Sequence, residues 1–258
     1  MTDGSQYHID GQQMVSDQSL HVNDNMCNRR GVAFGGLLFG AAIDVAEKVS
    51  KRALFSASIH YLRPAMCGDQ VRFVSGSPDV GRTFTFLPLT GVGAGKPVFN
   101  VQARLKELKS SDDYFQPCEF PEVPRASECE PLVTNAADRS GSIWDLVDIR
   151  PVQVSTEGSS VILWIRFNCD LLGPRGRLAI LSDWAPTAFG LLDQRFGKGA
   201  SVDAYLRIIR SVAVDWTLVH FDFPSRSPSI VRANATLWTE HGHVLAHSMQ
   251  SFVPLQEV

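Results

Sequence analysis

The sequence contains few cysteines, and none of them stands in a metal-binding or redox spacing. The five cysteines are odd in number and widely scattered, with no C-x-x-C pair: Cys27, Cys67, Cys118, Cys129 and Cys169. A disulfide framework or a thiolate zinc site is therefore not expected. His241, His243 and His247 lie too far apart along a turn and a strand to predict a metal site, and we expect neither a metal nor a cofactor.

The sequence also lacks an excess of basic residues, an export signal and a long apolar run. Its formal net charge is -3, which argues against a broad basic face for nucleic acid. Residues 1–18 are polar and have no apolar core of a signal peptide. No stretch of about 18 consecutive apolar residues is present to span a bilayer. We expect a cytoplasmic protein with no nucleic acid partner and no membrane span.

An internal repeat is the first positive feature. The segment HYLRP at residues 60–64 is followed by VR at 71–72, and HFDFP at 220–224 is followed at the same distance by VR at 231–232. Such self-similarity at matching distances predicts two diverged copies of one structural unit.

Each copy shows helical spacing followed by strand patterns. Apolar residues recur at helical spacing over 34–49 and 178–194, which predicts one long helix in each copy. Strand-like runs follow at 54–62, 70–75, 82–90 and 97–105 in the first copy and at 206–223, 229–239 and 243–253 in the second. The run 206–223 is long enough to require a bend or bulge. We expect small residues such as Gly36 and Gly40 where the first helix approaches a curved sheet.

One helix against an antiparallel meander is an α+β unit. Residues 109–140 are rich in proline and acidic residues and read as a linker. The predicted organisation is a first unit at 1–108, a linker at 109–140 and a second unit at 141–258.

Short motifs in both halves resemble those of acyl-CoA thioesterase II, the double hot-dog thioesterases. The motifs are RGVAFGG at 30–36, YLRP at 61–64 and GRTF at 81–84, then LSD at 181–183, VDWT at 214–217 and MQS at 249–251. The resemblance implies two tandem copies, each with an antiparallel sheet wrapped around one central helix. It also implies a role in fatty acid metabolism, with acyl-CoA hydrolysed to free acid and CoA.

The resemblance carries three catalytic positions onto this sequence. The family has an aspartate at the start of the second helix and a glutamine on the last strand, which match Asp183 and Gln250. It also has a hydroxyl two residues before a strand aspartate. Counted back from Asp215 that position is Ala213, so we expect Thr217, on the same face of the strand, to supply the hydroxyl.

Ser211 shares that face and is the other candidate for the hydroxyl. Each of the three expected catalytic residues also has an ordinary structural role. Asp183 could cap a helix that has Pro186 in its first turn, and Gln250 and Thr217 could be plain strand residues. Asp44 reads as a solvated partner of Lys48, one helical turn on.

Thioester hydrolysis needs a water made nucleophilic and donors for the oxygen that becomes negative. Asp183 would take the water proton and Gln250 would position the water. Backbone N–H groups of Gly35 and Gly36, at the start of a helix, would face the oxyanion. We expect the acyl chain to lie along the central helix, in a channel lined by sheet residues.

Two other functions fit the same sequence. One is a catalytically inactive hot-dog protein that binds acyl groups or assembles with partners. The other is a hot-dog acyl dehydratase or hydratase, which would use a carboxylate and a histidine, with His220 in the segment HFDFP as the histidine. His60 is a further candidate for chemistry because the histidine repeats in both copies. Assembly of double hot-dog protomers into a homo-oligomer is compatible with each function.

Overall fold

The computed structural model describes residues 8–255 apart from 10–11, 14, 17–18, 108–115, 117, 134–140, 158, 169, 171 and 197. Among these residues the helices are α1 (Gly35–Ser50), α2 (Pro174–Ser182) and α3 (Ala185–Leu192), with short 3-10 turns at Asp24–Met26, Ala126–Glu128 and Ile143–Leu146. The strands are β1 (His8–Ile9), β2 (Gln12–Gln13), β3 (Val15–Ser16), β4 (Ser19–His21), β5 (Ala53–Tyr61), β6 (Gln70–Ser75), β7 (Asp79–Val80), β8 (Thr85–Gly93), β9 (Lys96–Lys106), β10 (Val147–Ser155), β11 (Ser160–Phe167), β12 (Lys198–Ile208), β13 (Trp216–Arg226), β14 (Val231–Thr239) and β15 (Val244–Leu255).

One 13-stranded antiparallel sheet runs through both halves of the chain. Its order is β10-β11-β13-β14-β15-β12-β5-β9-β8-β6-β4-β3, with β7 paired to β8 and a separate β1–β2 pair. The central neighbours β5 and β12 are the strands that follow the helices of the two copies, and the strand order is mirrored on either side of them. The predicted α+β fold of two tandem copies is confirmed.

The sequence match that suggested the repeat does not join equivalent strands. HYLRP lies at the end of β5, whose counterpart across the sheet centre is β12. HFDFP lies on β13, which is the counterpart of β6. The conclusion of two copies was correct, but that alignment was wrong by one strand. Pro64 follows the end of β5, whereas Pro224 lies within β13, where its pairing with β14 shifts.

The second helix is not continuous as predicted over 178–194. It is divided into α2 and α3 at Asp183 and Trp184. Pro186 stands in the first turn of α3. Proline has no N–H to donate to the carbonyl four residues earlier, and its ring excludes that carbonyl, so α2 ends at Ser182.

The predicted strand at 206–223 is also two strands, because β12 ends at Ile208 and β13 begins only at Trp216. Strands β10 and β11 were not predicted. Part of the predicted linker packs on the outer side of the second half of the sheet. There Trp164 Nε1 donates to the Pro124 carbonyl at 2.9 Å, and Phe120 stacks edge-on against Trp238 at 5.6 Å.

Helices α1 and α2 pack directly on each other beneath the sheet. A Cβ at Gly40 would lie 2.6 Å from the Gly176 carbonyl oxygen, and one at Gly176 would lie 2.9 Å from the Gly40 carbonyl oxygen. The glycines of α1 therefore allow the close approach of α2. The expectation was that they would allow the close approach of the sheet. Among the described residues no helix combines the length and apolar character that crossing a bilayer requires.

Candidate active site

Asp183 lies where the helix of the second copy breaks, with φ -86° and ψ 12°. Its side chain is 5% exposed, and its Oδ2 accepts the backbone N–H of Gly36. Gly36 is the second residue of α1, so its N–H is one of those that a helix leaves without an internal acceptor. Asp183 thus caps the helix of the other copy, while the cap position of α3 is Trp184, which makes no side-chain capping bond.

Ser201 and Gln250 complete a buried hydrogen-bond network around this carboxylate. Ser201 Oγ donates to Asp183 Oδ1 at 2.9 Å, and Gln250 Nε2 donates to the same oxygen. Gln250 Nε2 also contacts Ser201 Oγ at 2.8 Å. The three side chains come from the helix break, β12 and β15, so the fold brings together residues that are far apart in sequence.

Gln250 keeps one acceptor free of protein partners. Its side chain is 3% exposed, and its Oε1 is buried without a hydrogen-bond partner among the described residues. Because buried polar atoms are nearly always paired in folded proteins, this oxygen is available to a bound molecule.

The hydroxyl in this network belongs to Ser201 and not to Thr217. Thr217 is buried on β13 opposite Ile165 and Thr239, and none of the hydrogen bonds between described residues joins its side chain to Asp183 or Gln250. Ser201 stands two residues before Asp203, which is the spacing that the family resemblance implies, so the spacing is counted from Asp203 rather than from Asp215. This Ser-x-Asp spacing is visible in the sequence, but residues 198–201 contain no β-branched or aromatic residues that would predict a strand there.

A β-bulge aims Ser201 into the site. The pairing of β12 with β15 shifts between Ser201 and Asp203, so Val202 is an extra residue on one strand. Ser201 faces Phe252, and Ala204 faces Gln250, on the inner side of the sheet.

Burial and hydrogen bonding have opposite effects on the pKa of Asp183. Burial raises its pKa from 3.8 to about 6, while the donors from Ser201, Gly36 and Gln250 hold the pKa lower than burial alone would. At neutral pH the carboxylate is therefore mostly ionised, yet its pKa is close enough to neutrality for it to accept and return a proton.

The first copy contains a reciprocal contact without the rest of the network. Asp44 on α1 accepts the Gly173 N–H through Oδ2 at 2.9 Å, at the start of α2. It is largely buried, contrary to the expected solvated pairing with Lys48. Strand β5 has a bulge after Leu54 that corresponds to the bulge of β12 after Ser201. When the two bulges are aligned, Leu54 occupies the position of Ser201, and Ala103 on β9 occupies the position of Gln250.

The other candidate residues lie elsewhere. His60 is exposed, and His220 Nε2 is 3.5 Å from Asp222 on β13. A cavity of about 160 Å³ follows the side of α2 that faces away from α1. It is lined by helix residues such as Leu178 and Leu181 and by strand residues such as Ile165 and Thr217, but by none of the three side chains of the network.

The comparisons with known proteins identify the family and the fold. The family model of the acyl-CoA thioesterase C-terminal domain matches residues 116–253, more than half of the chain, starting within the predicted linker. None of the curated proteins matches the sequence.

Solved structures share the fold over almost the whole chain. A protein from Novosphingobium aromaticivorans DSM 12444 assigned as a thioesterase superposes with a TM-score of 0.83 at 23% identity, covering 92% of this chain and 94% of that one. The tesB protein of Mycobacterium avium subs paratuberculosis gives 0.76 at 19%, covering 92% and 93%. A hot dog fold protein of unknown function from Alicyclobacillus acidocaldarius gives 0.78 at 17%, covering 99% and 98%. The fold is a double hot-dog.

Proposed function

This chain belongs to the acyl-CoA thioesterase family, and we propose that it hydrolyses acyl-CoA thioesters to free carboxylic acid and CoA with a water activated at Asp183. The observation that carries the proposal is the buried network of Asp183, Ser201 and Gln250, in which one amide oxygen has no hydrogen-bond partner in the described part of the chain. Membership of the family supports the substrate class, and the network supports the chemistry.

The network offers two acceptors to one water. An ionised carboxylate has about four lone-pair positions, and three donors from the protein use the carboxylate of Asp183. One position is left for a water hydrogen. The other hydrogen of that water would go to Gln250 Oε1, which leaves the oxygen lone pair directed away from both acceptors.

Each partner of Asp183 has a positioning role in this scheme. Ser201 donates to the carboxylate while contacting the Gln250 amide nitrogen, and thereby fixes both groups at once. The Gly36 N–H holds the second carboxylate oxygen at the positive end of α1. The ionised form of Asp183 is thus supported inside an otherwise apolar interior.

The reaction then needs only a proton transfer to and from Asp183. The water oxygen bonds to the thioester carbonyl carbon as one water proton passes to Asp183. Collapse of the tetrahedral intermediate breaks the carbon–sulfur bond, and the thiolate of CoA takes the proton back from Asp183. The products are a carboxylic acid and CoA, and Asp183 returns to its ionised state.

The test is release of CoA from a panel of acyl-CoA thioesters, followed with a thiol reagent. The wild-type protein should release CoA, and Asp183→Asn should lower kcat by about 100-fold or more, since general-base catalysis contributes that much. Asp44→Asn is the matched control, because Asp44 makes the reciprocal helix contact without a serine or glutamine partner. Its kcat should stay near that of the wild type.

Two results would contradict the proposal. Absence of CoA release from every thioester, together with binding of a non-hydrolysable S-alkyl-CoA, would identify a non-catalytic acyl-binding protein. Conversion of 3-hydroxyacyl-CoA to a 2-enoyl product without thiol release would identify a dehydratase.

A further inference from the structure

Tyr61 brings a buried hydroxyl from the first copy to the candidate site. It is the last residue of β5, and its ring is partly buried against the core. Its Oη is buried and has no hydrogen-bond partner among the described residues. A phenylalanine would fill the same space without leaving a polar atom unpaired, so the hydroxyl costs stability unless a bound molecule pairs with it.

The Tyr61 hydroxyl and the Asp183 carboxylate both lie close to Gly35. A Cβ built on Gly35 would lie 2.9 Å from Asp183 Oδ2 and 3.1 Å from Tyr61 Oη. Asp183 Oδ2 and Tyr61 Oη therefore lie no more than about 6 Å apart, on the side of the start of α1 where Gly35 has no side chain. Any other residue at position 35 would place a carbon atom there.

One of the two backbone donors expected for the oxyanion, the N–H of Gly36, already has an acceptor. The N–H of Gly36 is donated to Asp183, so it holds the base in place. Hydrolysis still requires a donor for the oxygen that becomes negative in the tetrahedral intermediate. Tyr61 Oη is a buried hydroxyl near Asp183, and no described residue accepts a hydrogen bond from it.

We propose that Tyr61 is a catalytic residue whose hydroxyl donates a hydrogen bond to the thioester carbonyl oxygen and to the oxyanion formed from it. This inference rests on the proposed hydrolysis at Asp183. Tyr61 keeps its proton throughout, so the proton balance of the reaction is unchanged. Burial and the nearby Asp183 carboxylate raise the pKa of Tyr61 well above its usual value, which keeps the hydroxyl a donor at working pH.

The first test compares Tyr61→Phe with the matched control Tyr205→Phe. Tyr205 is also a tyrosine on a central strand, but its hydroxyl accepts from Arg207 at 3.0 Å. Tyr61→Phe should lower kcat about 100-fold with KM changed by less than about threefold, the pattern for loss of an oxyanion donor. Tyr205→Phe should leave both constants near wild type.

Stability separates a ligand-binding hydroxyl from a structural one. Because Tyr61 Oη has no partner among the residues that the structure describes, Tyr61→Phe should unfold at the same or a higher urea concentration than the wild type. A lower unfolding midpoint would mean that the hydroxyl is bonded within the protein, and would overturn the inference. A kcat within about threefold of wild type would also overturn it.

Binding of two CoA analogues tests Tyr61 without hydrolysis. S-(2-oxoalkyl)-CoA carries a carbonyl group and S-alkyl-CoA does not. Tyr61→Phe should weaken binding of the first about tenfold and leave the second unchanged, as expected for one lost hydrogen bond. Equal losses for both analogues would refute the contact. If the wild type binds both analogues but releases no CoA, the hydrolysis proposal fails, and a Tyr61-dependent preference for the ketone would still support the contact.

Discussion

Asp44 should make the protein less stable as the pH rises. Burial raises the pKa of Asp44 from 3.8 to about 7, with a further increase from Glu47, against the lowering effects of the Gly173 N–H and Arg175. A carboxyl whose pKa is higher in the folded than in the unfolded protein binds more protons when folded. Its contribution to stability is present at low pH and is lost as pH rises from about 4 to about 7.

The size of this loss follows from the shift in pKa. Each unit corresponds to 1.36 kcal/mol, so the full shift of about 3 units is worth about 4 kcal/mol, and the part between pH 5 and pH 8.5 about 3 kcal/mol. Asp44→Asn keeps an oxygen to accept the Gly173 N–H and removes the charge. The variant should lose about 3 kcal/mol less than the wild type over this pH interval.

Urea unfolding at pH 5 and pH 8.5 measures the difference directly. Asp183 contributes in the same direction, since its pKa is also raised, but it is present in both proteins and cancels in the comparison. Asp44→Asn should therefore be clearly more stable than the wild type at pH 8.5, with a smaller advantage at pH 5. Equal losses of unfolding free energy in the two proteins would refute the burial argument.

Three further predictions concern the site and the helix contact. The kcat/KM of the wild type should rise with pH through an apparent pKa of about 6, as Asp183 ionises; a flat profile from pH 5 to 8 would contradict it. Ser201→Ala should lower kcat about 10-fold or more, whereas Thr217→Ala should have little effect, and the reverse order would restore Thr217 as the hydroxyl. Gly40→Ala should lower the unfolding free energy by about 1–3 kcal/mol, because its Cβ would meet the Gly176 carbonyl; unchanged urea unfolding would argue against close helix packing.

Much of the fold could be predicted from local pattern. The helical spacing at 34–49 marks α1 to within a residue or two, and the runs after it mark β5, β6, β8 and β9. What the pattern could not supply was strand pairing. It is decided by contacts across the sheet, and HYLRP and HFDFP look alike although they lie on strands that are not equivalent.

The candidate site was predictable only in part, for a similar reason. Asp183 and Gln250 could be named from motifs, and the structure brings their side chains together. The hydrogen bond from the Gly36 N–H to Asp183 could not be predicted from the sequence. It depends on how the helix of one copy packs against the helix of the other. Ser201 was missed since a bulge, rather than a strand pattern, turns its side chain inward.

The two copies therefore share an architecture but not a site. Asp44 and Asp183 each cap the helix of the opposite copy. Only Asp183 has a serine and a glutamine beside it, because Leu54 and Ala103 occupy the corresponding places in the first copy. Asp183, Ser201 and Gln250 are therefore proposed to act as one catalytic unit in the second copy.

A double-mutant cycle on kcat measures whether Ser201 and Gln250 act together through Asp183. If Ser201 and Gln250 both act by holding Asp183 and its water, the protein carrying Ser201→Ala and Gln250→Ala should be within about threefold of the slower single variant. If the two losses multiply instead, the residues act independently, and the claim of a single network is contradicted.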